Sequence, residues 1–193
     1  MDKPHGMRIE GYVIVSADGM LADSSGVMPA SLKFEADQRF FESALDAADL
    51  IVHGRNSFED QPRSPERTRI ILTRSVPALA RDPDNSKATL WNPAGASFED
   101  ACHASGVTDG TAAIIGGPVV FEMFMDRYDT FWLSQAHGLT IPGGMGGFPG
   151  VPQRSPQDIL AAHGLKAEET RVLDAGNRVD VTAWRRSWTP RSS

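Results

Sequence analysis

Two adjacent glycines connect a strand-like run to a helix-like run between residues 111 and 125. Residues 111–115 are mostly small or β-branched, as a buried strand requires. Gly116 and Gly117 bring bare backbone to the turn, and Pro118 stands where the first helical turn begins. Because the first amide groups of a helix lack intrahelical partners and carry the positive dipole end, the sequence predicts a phosphate-binding corner here. The alternative is a plain strand-to-helix turn.

Composition narrows the class of protein. The 193 residues favour one domain with a substantial core, and the net charge of −6 argues against general nucleic-acid affinity. The single cysteine, Cys102, excludes an intrachain disulfide framework, and the histidines show no metal-ligand spacing, so we expect no metal site. Neither a membrane-spanning run nor a signal-peptide core is visible. We therefore expect a cytoplasmic protein without a membrane or nucleic-acid partner.

Strand-like and helix-like segments alternate along most of the chain, and the last two strands flank a turn at residues 176–177. The pattern predicts an α/β fold: a single domain with a mostly parallel central sheet, helices on both faces and a C-terminal antiparallel hairpin. The domain is expected over 8–188, with flexible ends at 1–7 and 189–193. The predicted strands are 9–15, 50–53, 69–73, 89–91, 111–115 and 130–136; the predicted helices cover 31–47, 97–105, 155–164 and the segment from 118, with a loop at 141–152.

Four ordered segments resemble the dihydrofolate-reductase-like superfamily, which includes dihydrofolate reductases and the reductase domain of the bifunctional riboflavin-biosynthesis deaminase-reductase. The segments are VSADGMLAD at 15–23, DLIVHGRNSFED at 49–60, IILTRS at 70–75, and IIGGPVVFEMF with DTFWLSQ at 114–135. The resemblance implies that the peptide bond between Gly116 and Gly117 is cis. It also implies NADPH as the cofactor and often a homodimer, for which the aromatic strand at 130–136 is a candidate interface.

The resemblance assigns the cofactor to several strand ends. Gly54 ends one strand and Arg55 offers a planar guanidinium fork for the 2′-phosphate, although a surface arginine beside a helix cap is the alternative. The loop after the first strand is expected to face the nicotinamide, with direct chemistry by Asp18 left open. The predicted cofactor-binding residues are Ala17, Gly19, Leu21, Gly54, Arg55, Asn56, Ser57, Thr73, Arg74, Ser75, Gly116, Gly117, Pro118, Val119, Val120 and Phe121.

The prediction of a substrate-binding site depends on the carboxyl group of Asp37. Asp37 lies among phenylalanines on a predicted helix, and a buried carboxyl there would have a raised pKa suited to protonating a C=N bond; an exposed helix acid is the alternative. By resemblance, Asp37 binds the heterocycle, Ser134 hydrogen-bonds that carboxylate, and Met28 and Phe41 contact the substrate. Ala30 stands where dihydrofolate reductases commonly have tryptophan.

Together these features favour an NADPH-dependent reductase of a small pyrimidine or pterin-like heterocycle. The Gly-Gly-Pro and SADG segments look more like the riboflavin-pathway reductase, which acts on a ribosylamino-pyrimidine. Dihydrofolate reductase is the first alternative, and a non-catalytic nucleotide- or pterin-binding paralogue is the second.

Overall fold

The computed structural model describes residues 6–55 and 63–187. The predicted flexible ends fall largely on residues 1–5 and 188–193, outside the described residues, as do the predicted site residues Asn56 and Ser57. The strands are β1 (Met7–Ser16), β2 (Met20–Ala22), β3 (Leu50–Gly54), β4 (Arg69–Leu72), β5 (Leu79–Asp82), β6 (Asn85–Trp91), β7 (Gly110–Ile114), β8 (Thr130–Ala136), β9 (Met145–Gly146), β10 (Leu165–Asp174) and β11 (Val179–Arg186). The helices are α1 (Glu35–Ala47), α2 (Phe98–Ser105), α3 (Pro118–Met123) and α4 (Pro156–Ala162), with 3-10 turns at Ala30–Leu32 and Ser64–Glu66.

Nine strands form one sheet in the order β10-β11-β8-β1-β7-β3-β4-β6-β5. The six strands from β8 to β6 run parallel to one another, while β11, β10 and β5 pair antiparallel at the two edges. The central strands β7, β3 and β4 are largely apolar because both of their faces are covered. The predicted α/β fold, its mostly parallel sheet and its C-terminal hairpin are confirmed.

Helices cover both faces of this sheet. Along β1, Tyr12 packs in a cluster with residues of α1, whereas Ile9 and Val15 belong to the main core on the other face. That main core also takes the buried side chains of α2, α3 and α4, among them Cys102, which packs as a small hydrophobe. The alternation along β1 follows from the two-residue period of a strand.

Several boundaries differ from the sequence prediction. The helix predicted over 31–47 begins only at Glu35, because a separate 3-10 turn precedes it and Phe34 is its N-cap. The segment 141–152, predicted to exclude strand pairing, contains β9, which pairs with β2. The weak strand at 89–91 is the end of the longer β6, which forms a hairpin with β5. These short pairings have too few residues to produce a periodic signal.

One further expectation concerns the aromatic strand at 130–136. This strand, β8, is hydrogen-bonded to β1 on one side and to β11 on the other. It offers no free edge for strand pairing with a second subunit, so any interface at this strand would involve its side chains. The interface and the homodimer both stay predictions. In the described parts of the chain, the helices are too short and too polar to cross a bilayer.

Candidate active site

The predicted site residues gather where the parallel strands end. Strands β8, β1, β7, β3 and β4 are neighbours and parallel, so their carboxyl ends meet at one edge of the sheet. Open α/β sheets bind ligands along this edge. Neighbouring strands lie about 4.8 Å apart, so the three steps from β1 to β4 span about 15 Å. The edge therefore offers an elongated site.

The Gly-Gly corner lies at the end of β7. The peptide bond between Gly116 and Gly117 is cis, as the resemblance implies. The Gly54 amide donates to the Gly116 carbonyl oxygen at 2.7 Å, which brings the end of β3 against this corner. A Cβ atom on Gly54 would lie 3.3 Å from Cγ2 of Val120, a tight contact that the bare backbone avoids. Gly116 is buried and its carbonyl oxygen is used by Gly54, whereas Gly117 is partly exposed at this corner.

Helix α3 starts at this corner with Pro118 in its first turn. Val119 is 68% exposed beside the corner, whereas Val120 and Phe121 are buried in the core. The Phe121 amide donates to the Gly117 carbonyl oxygen at 3.0 Å. The position of Phe121 does not favour the predicted cofactor contact, because its ring is buried in the core and its amide is hydrogen-bonded to Gly117. The side chain of Val120 is also buried, so only its backbone amide is left to contact a cofactor.

Arg55 forms a polar cluster with the end of β4. Its guanidinium donates to Thr73 Oγ1 at 3.2 Å and to Ser75 Oγ at 2.8 Å, and the Thr73 hydroxyl donates to Ser75 Oγ at 2.9 Å. Thr73 is buried, while Arg55 and Ser75 are exposed. Among the described residues, Arg74 makes no hydrogen bond to this cluster and is exposed. The remaining guanidinium N–H groups of Arg55 and the Ser75 hydroxyl form a donor set suited to a phosphate.

The loop between β1 and β2 is held by the segment that follows β8. The Ala17 amide donates to the Leu139 carbonyl oxygen at 2.7 Å, and the Gly147 amide donates to the Gly19 carbonyl oxygen at 3.0 Å. Gly19 has φ of +84° and lies against Val151, where a Cβ would approach Cγ1 to 2.9 Å. Leu21 packs partly against the core. Only Ala17 of the three predicted loop contacts is exposed.

Asp18, for which direct chemistry was left open, accepts hydrogen bonds at both of its carboxylate oxygens. Its carboxylate accepts a hydrogen bond from the Ser16 hydroxyl and two from the Ile141 amide, at 3.0 and 3.2 Å. Partial burial opposes ionisation, but these hydrogen bonds outweigh it and lower the pKa of Asp18. Sequence reasoning missed Ser16 and Ile141; the S-x-D spacing signals a local turn, but nothing local identifies the partner 123 residues away.

Asp37 lies in the first turn of α1 and is only 8% exposed. Ser134 of β8, itself buried, is close enough to lower the pKa of that carboxyl. Burial has the larger effect and raises the pKa of the Asp37 carboxyl from 3.8 to about 6. The interpretation as an exposed helix acid is excluded, and the predicted roles of Asp37 and Ser134 stay predictions.

The two predicted substrate contacts pack into two separate apolar clusters. Phe41 follows Asp37 by one helical turn and packs beside Tyr12, with ring centroids 6.4 Å apart. Met28 is partly buried against the cluster that contains Ile14 and Leu32. Ala30 is exposed in the 3-10 turn before α1.

Comparisons with known proteins agree with this fold. Among the solved structures that match, three match over 94% of this chain. The chain has the dihydrofolate-reductase-like fold. Dihydrofolate reductase from Enterococcus faecalis, complexed with NADP(H) and RAB-propyl, matches with a TM-score of 0.62 at 20% identity, over 98% of its length. No protein-family model and no curated protein matches the sequence.

The other two structures with this fold are named for riboflavin biosynthesis. The diaminohydroxyphosphoribosylaminopyrimidine deaminase/5-amino-6-(5-phosphoribosylamino)uracil reductase from Thermotoga maritima has a TM-score of 0.62 at 16% identity. This chain covers 57% of that one, little more than half. A putative riboflavin biosynthesis protein from Shewanella sp. PV-4 has a TM-score of 0.63 at 19% identity and is covered completely. At these identities the likeness establishes the fold alone.

Among the residues that the structure describes, no group of three or more histidine, cysteine or acidic side chains is arranged to hold a metal ion. The site is instead polar at one end and acidic at the other. Arg55, Thr73 and Ser75 lie at the β3–β4 end, and Asp37 with Ser134 lies at the β8 end, with the Gly-Gly corner between them.

Proposed function

We propose that the protein is an NADPH-dependent reductase of a small pyrimidine or pterin-like heterocycle. The observation that carries the proposal is a buried carboxyl of raised pKa, Asp37, on the same strand-end edge as a phosphate-sized donor cluster. A protonatable carboxyl favours reduction of a C=N bond by placing a proton near its nitrogen.

The residues present fit a dinucleotide. Arg55, Thr73 and Ser75 would hold the 2′-phosphate, and the main chain at Gly116 and Gly117 would lie against the pyrophosphate. When bound, the nicotinamide supplies the hydride. The exposed Ala17 belongs to the loop expected to face it. The protein's own contribution is therefore to orient two ligands side by side and to exclude water between them.

Two substrates within this class are distinguishable. The riboflavin-pathway substrate, a 5-amino-6-(5-phosphoribosylamino)uracil, is our first choice because the SADG and Gly-Gly-Pro segments resemble that type of reductase. The proximity of Ser134 to Asp37 specifically favours the second candidate, dihydrofolate, because the two residues match positions that are paired in dihydrofolate reductases. A protein that binds the nucleotide without turnover is the third candidate.

One assay separates the three. We expect NADPH oxidation, followed by absorbance, with the ribosylamino-pyrimidine and little or none with dihydrofolate. The reverse preference, together with displacement by methotrexate, would assign dihydrofolate reductase. Tight NADPH binding without turnover on either substrate would identify a binding protein, and absence of NADPH binding would overturn the proposal.

A further inference from the structure

The Asp18 carboxylate joins two segments that are far apart in the sequence. Ser16 Oγ donates to it from the end of β1, and the Ile141 amide donates to it from the segment after β8. The same Ser16 oxygen accepts a hydrogen bond from the Met20 amide at 3.0 Å, and Ser16 is completely buried. The carboxylate is thus the centre of a small closed network.

Further contacts hold the loop on either side of Asp18, before it from Gln135 of β8 and after it from β9. The Gln135 amide group donates to the carbonyl oxygens of Ser16 and Ala17 at 3.3 and 3.4 Å, and Gln157 of α4 holds Gln135 in turn at 2.9 Å. Strand β2 continues the loop beyond Gly19 and pairs with β9. The loop therefore packs against the segment 139–147, which we call the wall. Among the described residues, Asp18 supplies the only carboxylate contact from the loop to this wall.

This wall connects both halves of the proposed site. Ala17 lies at the cofactor side, and β2 leads through the turn at 23–27 to Met28 at the substrate side. A displacement of the Asp18 turn would move both ends, because the intervening chain is short and hydrogen-bonded. The Asp23 amide, for example, donates to the Val27 carbonyl oxygen at 2.8 Å.

We propose that Asp18 is a positioning residue that fixes the loop between β1 and β2 on the 139–147 segment, so that the cofactor and substrate sides are assembled before either ligand binds. The inference rests on the proposed reductase function. Asp18 does not act as an acid in the chemistry, because both of its oxygens accept hydrogen bonds within the protein. It acts through the loop that it holds.

Asp23 provides a matched control in the same loop. Its carboxylate also accepts hydrogen bonds in a turn, from the Ser25 amide at 2.9 Å, the Ser25 hydroxyl at 2.6 Å and the Val27 amide at 3.1 Å. All of these partners lie within its own turn. Asp18→Ala and Asp23→Ala therefore remove the same charge and a similar turn contact, and only the first breaks the connection to the distant segment.

The test compares these variants in the full chain, first without any ligand. For Asp18→Ala we expect amide hydrogen exchange over 139–147 to become about tenfold faster or more, with little change for Asp23→Ala. With ligands, Asp18→Ala should raise the NADPH dissociation constant and the substrate KM together, and Asp18→Asn should recover much of both, since its amide oxygen still accepts from Ile141.

Two results would overturn the inference. One is unchanged exchange in Asp18→Ala. The other is loss of kcat in both Asp18→Asn and Asp18→Ala with NADPH affinity and exchange intact, which would place the carboxylate in the chemistry instead. If the wild-type protein neither binds NADPH nor turns over, the reductase proposal fails, but the exchange comparison still decides whether Asp18 holds the loop.

Discussion

A carboxyl group buried beside a hydroxyl is protonated at a pH where an exposed one is ionised. Asp37 is in this position, between α1 and β8, whereas Asp18 in the adjoining loop accepts several hydrogen bonds and stays ionised. In the proposed reductase the two acids therefore differ in role by environment: Asp37 would hold a proton for the chemistry, and Asp18 would hold the backbone.

The first prediction concerns pH. Because the folded-state pKa of Asp37 is raised from 3.8 to about 6, its contribution favours folding below about pH 4 and is lost as pH rises to about 6. The difference corresponds to up to about 3 kcal/mol of unfolding free energy. Asp37→Asn should thus be more stable than wild type at pH 8 and nearly equal at pH 4, in urea unfolding monitored by circular dichroism.

The same variant is expected to lose turnover while keeping NADPH affinity, because the amide cannot supply the proton. In the wild type, kcat/KM should fall as pH rises through about 6. Glu35→Gln, at an exposed acid on the same helix, is the control and should change neither property. Unchanged turnover in Asp37→Asn would remove Asp37 from the mechanism.

The second prediction separates the two arginines. Arg55 is held by Thr73 and Ser75, so Arg55→Ala should raise the NADPH dissociation constant by about tenfold or more, the scale of a lost charged hydrogen bond, and change NADH binding little. Arg74→Ala should have the same direction and a smaller effect, since Arg74 is exposed and outside the hydrogen-bonded cluster in the described structure. Fluorescence titration with both nucleotides measures this, and equal weakening of the two would show that neither arginine reads the 2′-phosphate.

At the scale of elements, β1 and β8 can pack closely because Gly11 of β1 has no side chain. Gly11 of β1 lies opposite Phe131 of β8 in the ladder, and a Cβ there would clash with the Phe131 ring and reach Tyr128 Cε1 at 2.9 Å. Both aromatic rings are fully buried and meet edge to face, with centroids 5.0 Å apart, so neither can turn aside.

The third prediction follows from this packing. Gly11→Ala should lower the unfolding free energy by about 1–3 kcal/mol through overpacking. Gly138→Ala is the control, because its added Cβ would meet only the Asn177 carbonyl oxygen, at an ordinary 3.9 Å. Chemical unfolding of the two variants measures the difference. Equal stabilities would contradict the prediction, because they would mean that the Phe131 and Tyr128 rings can move to accommodate the added methyl group.

At the scale of the whole molecule, the sheet brings together candidate site residues that are far apart in the sequence. Strands β8, β1, β7, β3 and β4 place the acid, the loop, the Gly-Gly corner and the arginine cluster one after another along one edge. Antiparallel strands close both sides of the sheet, with the charged strand β10 at one edge and the short strand β5 at the other. Short or charged edge strands discourage uncontrolled pairing.

The fourth prediction is the homodimer. With β8 inside the sheet, a dimer that uses this strand would contact it through its side chains and not through edge pairing. We expect sedimentation equilibrium to give twice the monomer mass throughout the concentration range of the assays. A single species of monomer mass would contradict this, and it would leave the site intact, since the residues gathered at the strand ends all come from one chain.

The sequence by itself determined the local chemistry. Apolar period and turn residues indicated the strand, glycine pair and helix around Gly116, and the helix that carries Asp37, because these signals depend on neighbours within a few residues. The family resemblance added the pairing of Asp37 with Ser134. Only the tertiary structure decided the burial that raises the pKa of Asp37, the binding of Asp18 to Ile141 and the pairing of β2 with β9. Those features join residues across the chain, and their partners are set by how the whole sheet packs rather than by any local pattern.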